Sequence, residues 1–250
     1  MIYMTGDTHR DFERLFWFCK SHQTSVEKDV MIILGDVGLN YYGGWRDHHA
    51  KRQLSSMPLT FFCIHGNHEE RPQNIDGYCT KEWNGAEVMY EPEFPNILFA
   101  VDGSVYHLNG LDTMVIGGAY SVDKEERIEA MSCGFDQYRW FASEQPSDET
   151  KALCEQVLES RGNRIDVMLT HTCPMNVRPV HAFLPQVDQS AVDTSTEEWL
   201  QTLKDKTRIL YWYNAHYHVD EMIDNHKMLY HDIIAFPYRE DTYGSTKSCV

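Results

Sequence analysis

The chain has 250 residues, with 38 acidic against 22 basic side chains and a formal net charge of -16. That excess disfavours non-specific binding to duplex nucleic acid, which needs Lys and Arg on phosphates. It leaves room for a small or single-stranded phosphorylated substrate, because a local metal pair can override the global field.

The length suits one large α/β domain, expected over residues 1–236, followed by a polar tail at 237–250. The start, Met1-Ile2-Tyr3-Met4, has neither a basic region nor a cleavage site, so no signal peptide is expected. No apolar stretch approaches the ~20 residues of a membrane span. Seven cysteines, an odd number without a Cys-x-x-Cys pair, read as reduced thiols, mostly buried. A cytoplasmic protein without a membrane partner is the expectation; the oligomeric state is left open.

In chain order, strand-length apolar runs recur at Ile2–Thr5, Val30–Leu34, Leu59–Ile64, Thr113–Ile116, Val167–Thr170 and Ile209–Tyr213. Several are nearly continuous rather than alternating, as in strands covered on both faces. Helical spacing appears over Arg10–His22, with Phe12, Leu15, Phe16 and Cys19. It appears again over Ser147–Arg161, where Ser147 is a candidate N-cap ahead of acids in the first turn. A third helix is expected over Thr196–Lys206. The stretch Ala86–Gly118, broken by Pro92, Pro95, Gly103 and Gly110, reads as antiparallel strands and turns. Gly38–Asp47 and Thr172–Val192 read as long loops. The pattern predicts two packed sheets with helices outside.

Five strand-length runs are each followed by metal-binding side chains: Gly6-Asp7-Thr8-His9, Gly35-Asp36, Gly66-Asn67-His68-Glu69, Thr170-His171 and His216-Tyr217-His218. Sites of open α/β sheets assemble at such carboxyl ends. Two metals need a bridge, and a carboxylate with two oxygens suits it, so Asp36 is the candidate. Asp7, His9 and His218 would complete one ion; Asn67, His171 and His216 the other. Two divalent ions bring four positive charges and the two carboxylates remove two. With an amide in place of a third acid, the centre stays positive enough to hold phosphate. The mixed oxygen and nitrogen set favours Mn²⁺ first, with Fe, Zn²⁺ or Ni²⁺ as other candidates, over Ca²⁺. The lack of a thiolate argues against a structural zinc.

In this order the five motifs resemble the calcineurin-like metallophosphoesterase superfamily. The resemblance implies an α/β fold: a four-layer α/β/β/α sandwich of two mixed β-sheets flanked by helices. It also implies a dinuclear centre that hydrolyses phosphate mono- or diesters by in-line attack of metal-bound hydroxide. Carried over by motif position, the ligands are Asp7, His9, Asp36, Asn67, His171, His216 and His218. His68 matches the family's catalytic histidine, which protonates the leaving oxygen or steadies the transition state, as suits an imidazole.

The segments Glu82-Trp83-Asn84-Gly85, Gly117-Gly118-Ala119-Tyr120-Ser121 and Glu144-Gln145-Pro146-Ser147 are similar to a small bacterial and phage-associated branch of unassigned substrate. Ala215 stands where glycine usually precedes His-x-His, and Arg10 where glycine usually follows Asp-x-His. Gly35-Asp36-Val37-Gly38 lacks the Asp-Arg-Gly continuation of the Ser/Thr protein phosphatases. Those phosphatases stay an alternative, as does a non-catalytic binding scaffold on the same fold.

Around the motifs, Arg10 is a candidate phosphate ligand, or else a partner of Asp11 or Glu13. Lys124 and Arg127, three apart, could clamp substrate or form surface ion pairs, and Asn67 could touch substrate as well. Tyr41, Tyr42 and Trp45 could wall the site or pack locally. His48 and His49 read as a polar helix face, and His65 as part of its strand end. His22, His107, His181, His226 and His231 are expected to be solvated or hydrogen-bonded.

Overall fold

The computed structural model describes residues 1–237. The first sheet takes β1 (Ile2–Thr5), β2 (Val30–Ile33), β3 (Thr60–Cys63), β4 (Cys79–Trp83), β5 (Ala86–Tyr90) and β6 (Ile97–Ala100). The second takes β7 (Val105–Leu108), β8 (Leu111–Ile116), β9 (Arg164–Thr170), β10 (Arg208–Asn214), β11 (Glu221–Ile223) and β12 (His226–Met228). A last strand, β13 (Ile234–Ala235), returns to the edge of the first sheet beside β1. The orders are β13-β1-β2-β3-β6-β5-β4 and β11-β12-β10-β9-β8-β7. Both sheets are mixed: β1-β2-β3-β6 and β8-β9-β10-β12 run parallel, and the edge strands are antiparallel.

The side-chain period of two divides each central strand between two cores. Ile32, Leu34, Phe62 and Ile64 face Tyr106, Val115, Val167, Leu169 and Tyr213 between the sheets. Their neighbours Met31, Ile33, Phe61 and Cys63 pack on the other side against Leu15 and Cys19 of helix α1 (Glu13–His22) and against Ala50 and Leu54 of α2 (Gly44–Ser55). The outer face of the second sheet offers Met114, Ile116, Met168 and Trp212. After the short exposed α3 (Lys124–Ser132), helices α4 (Asp148–Ser160) and α5 (Ser195–Lys206) cover that face with Cys154, Leu158, Trp199, Leu200 and Leu203. Strands buried on both faces explain the unbroken apolar runs, and helices on both outer faces complete the four layers.

Ser147 caps α4 by accepting the Thr150 N–H at 3.2 Å. The expected loop at Gly38–Asp47 ends early, because α2 begins at Gly44. Its core-facing positions, at helical spacing, are Asp47, Ala50, Lys51 and Leu54. Two of these four are charged, which hides the apolar stripe; Asp47 pairs with Arg10 and Lys51 with Glu91. The expected loop at 172–192 carries two single turns of 3-10 helix, Met175–Val177 and Val180–Ala182. No helix among the described residues is long and apolar enough to cross a membrane. Cys19, Cys63, Cys154 and Cys173 are buried and unpaired, Cys79 and Cys133 are exposed, and Cys249 lies outside the described residues, as does the tail beyond Pro237.

Candidate metal centre

The carboxyl ends of β1, β2 and β3 from one sheet and β9 and β10 from the other open toward one place. Close approach of these loops demands glycine. A Cβ on Gly66 would fall 2.0 Å from Asp36 Oδ1, and one on Gly35, whose φ is +110°, would fall 2.1 Å from His171 Nδ1. His9, Arg10, Asp36, His216 and His218 all have positive φ. Left-handed backbone at non-glycine residues costs on the order of 1–3 kcal/mol each and gathers at functional sites.

Two groups of donors meet at Asp36. On one side His9 Nε2 and His218 Nε2 are 3.0 Å apart, and Asp7 Oδ2 lies 3.0 Å from His218 and 3.7 Å from His9. On the other, Asn67 Oδ1 lies 2.9 Å from His171 Nε2 and 3.1 Å from His216 Nδ1. Asp36 Oδ2 stands between them, 3.9 Å from His9 Nε2 and 3.7 Å from His171 Nε2. Asp7 and Asp36 are almost fully buried.

The donor chemistry fits a cation. His171 Nδ1 lies 2.8 Å from the Leu34 carbonyl, so a neutral ring carries its proton there and turns a bare Nε2 lone pair inward. Asn67 Nδ2 donates to Ser121 Oγ at 2.9 Å, which orients the amide oxygen toward that same lone pair. Two acceptors thus face each other at hydrogen-bond distance without a proton between them. Buried Asp7 Oδ2 accepts no well-directed hydrogen bond. Positive charge is what such a set lacks.

The electrostatics agree. In the absence of a cation, protons on the same rings take its place: burial pushes the Asp36 carboxyl up, but charged His68, His171 and His9 and the His68 N–H at 2.7 Å hold it well below the usual carboxylate range. Burial opposes ionisation of Asp7 too, and His218 and His171 bring it below its ordinary value. Burial, then the His171 charge, push His216 down to about 3, so its ring is neutral and free to ligate. The Asp7 carboxylate, 3.0 Å away, raises His218.

Three supporting residues were not among the expected site residues. Glu69 binds the N–H groups of Gly66 and Val37 through Oε1 and of Gly38 through Oε2, tying the second motif to the third. Burial and the Asp36 charge still push its carboxyl up to about 8. Ser121 fixes the Asn67 amide, and Arg14 donates to the carbonyls of Gly6 and Asp7 at 3.1 and 2.7 Å. Only Glu69 had a local cue, as the last residue of its motif.

His68 stands over the open side, with Nε2 3.9 Å from Asp36 Oδ2 and its ring 5.4 Å from that of His9. Burial lowers its pKa, and Arg127 adds to the effect. Arg10 and Arg127 line a small cavity of about 210 Å³ with His9 and His68. Arg10 does not pair with Asp11 or Glu13: it grips Asp47 at 2.8 Å and the carbonyls of Gly38 and Arg46. Arg127 pairs with Asp123 at 2.7 Å and donates to Tyr41 Oη at 2.8 Å. Lys124 sits over the rings of Trp140 and Tyr120, at 4.8 and 5.5 Å, and is not in the lining of the small cavity.

Tyr41 and Tyr42 line the small cavity, whereas Trp45 is 76% exposed. His48, on α2, pairs with Glu93, and His65 is buried at its strand end. His226 departs from the solvated role expected of it: it is fully buried against Trp212, and neither ring nitrogen has a hydrogen-bond partner.

Among solved structures, that of the protein TT1561 from Thermus thermophilus is similar at 15% identity, covering 86% of this chain and 80% of that one, with a TM-score of 0.42. No curated protein matches. The family model for calcineurin-like phosphoesterases matches residues 1–220, a span that includes all five motifs. By that match the chain belongs to the calcineurin-like phosphoesterase family, whose members are metal-dependent phosphoesterases.

Proposed function

We propose that the protein is a dinuclear hydrolase of phosphate mono- or diesters, with a small or single-stranded substrate. The observation that carries this reading is the pair of donor groups sharing Asp36. Asp7, His9 and His218 would hold one ion, Asn67, His171 and His216 the other, and Asp36 both; Asp7 also lies close enough to Asp36 and His171 to share an ion with them. Two divalent ions bound there would supply Lewis-acid charge for a phosphoryl oxygen and a water acidified enough to attack phosphorus in line.

The chain's own residues do the rest. Asp36 sets the spacing of the two halves, and its second oxygen is locked by the His68 N–H. The His171 ring is aimed by Leu34 and the Asn67 amide by Ser121, so neither needs to reorganise when charge develops. His68 brings a ring N–H within reach of the open side, where it would meet the leaving oxygen. Arg10 and Arg127 line the adjacent cavity, and their fixed positive charge favours a phosphate there. The formal charge of -16 supports the preference for small or single-stranded substrates over long duplexes.

The test is metal analysis joined to turnover of p-nitrophenyl phosphate and bis-p-nitrophenyl phosphate with Mn²⁺. About two ions per chain with turnover is expected. Asp36→Asn should lose bound metal and nearly all turnover. A metal-free, inert wild-type protein, or normal turnover in the variant, would defeat the reading.

A further inference from the structure

Two connections that belong to neither sheet meet beside the donor set, at the small cavity. One is the loop between β2 and α2; the other runs from β8 to α4 and carries α3. Helix α3 has no buried residue, so its place is not set by a core. Polar contacts set it, and they converge on one atom. Tyr41 Oη accepts from the Arg139 N–H at 2.9 Å and from Arg127 Nη1 at 2.8 Å, and it donates to the Gln137 carbonyl at 3.3 Å. A hydroxyl has one proton and two lone pairs, and here all three are used. The Tyr41 ring stands edge-on to Phe141, with centroids 5.9 Å apart at 74°.

Arg127 is the member of this network that reaches the centre, because it lines the small cavity with His9 and His68. Its side chain is 13% exposed. Asp123 pairs with Nε at 2.7 Å, and Nη1 donates to Tyr41 and, at 3.1 Å, to the Arg139 carbonyl. Nη2 has no partner among the described residues and, unlike Nε, is not sealed from solvent. Arg10, the other arginine of that cavity, is committed differently. Its Nη1 binds Asp47 and the Gly38 carbonyl, and its Nη2 binds the Arg46 carbonyl. A guanidinium anchored at two nitrogens with the third open is prepared for an oxyanion.

Resting on the phosphoesterase reading, we infer that Arg127 binds the phosphoryl group of the substrate through Nη2, and that Tyr41 is its positioning residue. Tyr41 acts through the arginine. Its hydroxyl fixes Arg127 directly, and through the Arg139 N–H it holds the stretch whose carbonyl grips the same Nη1. The rotamer freedom of a long side chain is thus lost before substrate arrives rather than on binding. Arg10 serves the fold, tying the first motif to α2.

The test titrates inorganic phosphate calorimetrically into the metal-loaded full chain, freed of excess Mn²⁺, beside turnover of p-nitrophenyl phosphate. Arg127→Ala should weaken phosphate by ~10-fold or more and lower kcat/KM by ~100-fold. Metal content should be unchanged, because neither Arg127 nor Tyr41 belongs to the donor set. Arg127→Lys keeps the charge without the fork and should recover only part of the loss. Tyr41→Phe keeps the ring against Phe141 and should weaken phosphate by ~3–10-fold, with a matching rise in KM. Adding Tyr41→Phe to Arg127→Ala should change little further, within ~2-fold.

A merely structural Tyr41 would cut kcat through a smaller active fraction and leave phosphate affinity and KM in place. That result, or losses that multiply in the double variant, would overturn the positioning role. Unchanged phosphate affinity and kcat/KM in Arg127→Ala would overturn the arginine assignment. That residue sits on a helix with no buried side chain, so its variant keeps the test valid if Tyr41→Phe folds poorly. Phosphate binding with these losses, but hydrolysis of no ester, would sink the phosphoesterase reading and leave the assignment standing. Neither binding nor turnover in the wild type would sink both.

Discussion

His226 carries an acid-lability that can be worked out from its surroundings. Its ring is fully buried on Trp212, at 4.8 Å between centroids, and neither nitrogen is hydrogen-bonded. Burial first, then the charge of Lys204, push it down to about 3. The unfolded chain protonates this ring near its ordinary pKa of ~6.5, so between the two values the unfolded state binds the proton and the folded state does not. The stability held by the neutral ring is complete above ~6.5 and is lost as pH falls toward the folded value. At about pH 5 the loss is about 2 kcal/mol, against ~0.2 at about pH 7.

His226→Phe keeps a ring against Trp212 and has nothing to protonate. Urea unfolding of both proteins at about pH 7 and about pH 5 isolates the effect, because every other acid-sensitive group is common to the pair. The stability difference should move by about 2 kcal/mol in favour of the variant on acidification. Parallel pH profiles for the two proteins would refute the assignment of a neutral, unpartnered ring at this position.

His68→Ala should keep its metal content while kcat falls by ~10²–10⁴-fold, measured by metal analysis beside turnover; an emptied centre would make His68 a ligand instead. Gly35→Ala puts a methyl group 2.1 Å from His171 Nδ1, at a φ that side chains rarely adopt. It should weaken metal binding by ~10–100-fold in a chelator competition, and unchanged affinity would mean that His171 is free to move aside. Asp102 accepts from Arg71 at 2.6 Å and from the Gly117 N–H at 2.7 Å, both in buried surroundings. Asp102→Asn strands the Arg71 charge and should cost ~3 kcal/mol in chemical denaturation, whereas a loss below ~1 would show that water reaches the pair.

The architecture was legible because both sheets bury their central strands on two faces, which writes continuous apolar runs into the sequence. The donor residues were legible for a related reason. Each follows such a run directly, so position along the chain stood in for position in space at Asp7, Asp36, Asn67, His171 and His216. Helix α2 was legible only as the polar face of His48 and His49, because Asp47 and Lys51 occupy core-facing positions that a periodicity count expects to be apolar. Their partners, Arg10 and Glu91, lie 37 and 40 positions away in the chain (47 − 10 and 91 − 51). A charge at a buried position can be understood only once its partner is placed.

The same limit explains the division of labour at the centre. Residues that would touch metal must lie at strand ends, and strand ends are local. Those that aim them are not local: Ser121 reaches Asn67 across 54 positions and the Leu34 carbonyl meets His171 across 137. Glu197, held by Thr172, joins the wall of a larger cavity from a helix whose spacing reads as ordinary core packing. Side chains that would hold metal follow from strand geometry shared by the two halves of the sandwich. Part of the wall of the cavity of about 450 Å³ beside the donor set comes from loop residues 178–194, where Phe183 and Arg178 obey no repeating pattern. Substitutions confined to that loop should therefore change substrate preference with the metal centre intact, because none of the donor atoms at Asp7, His9, Asp36, Asn67, His171, His216 or His218 belongs to it.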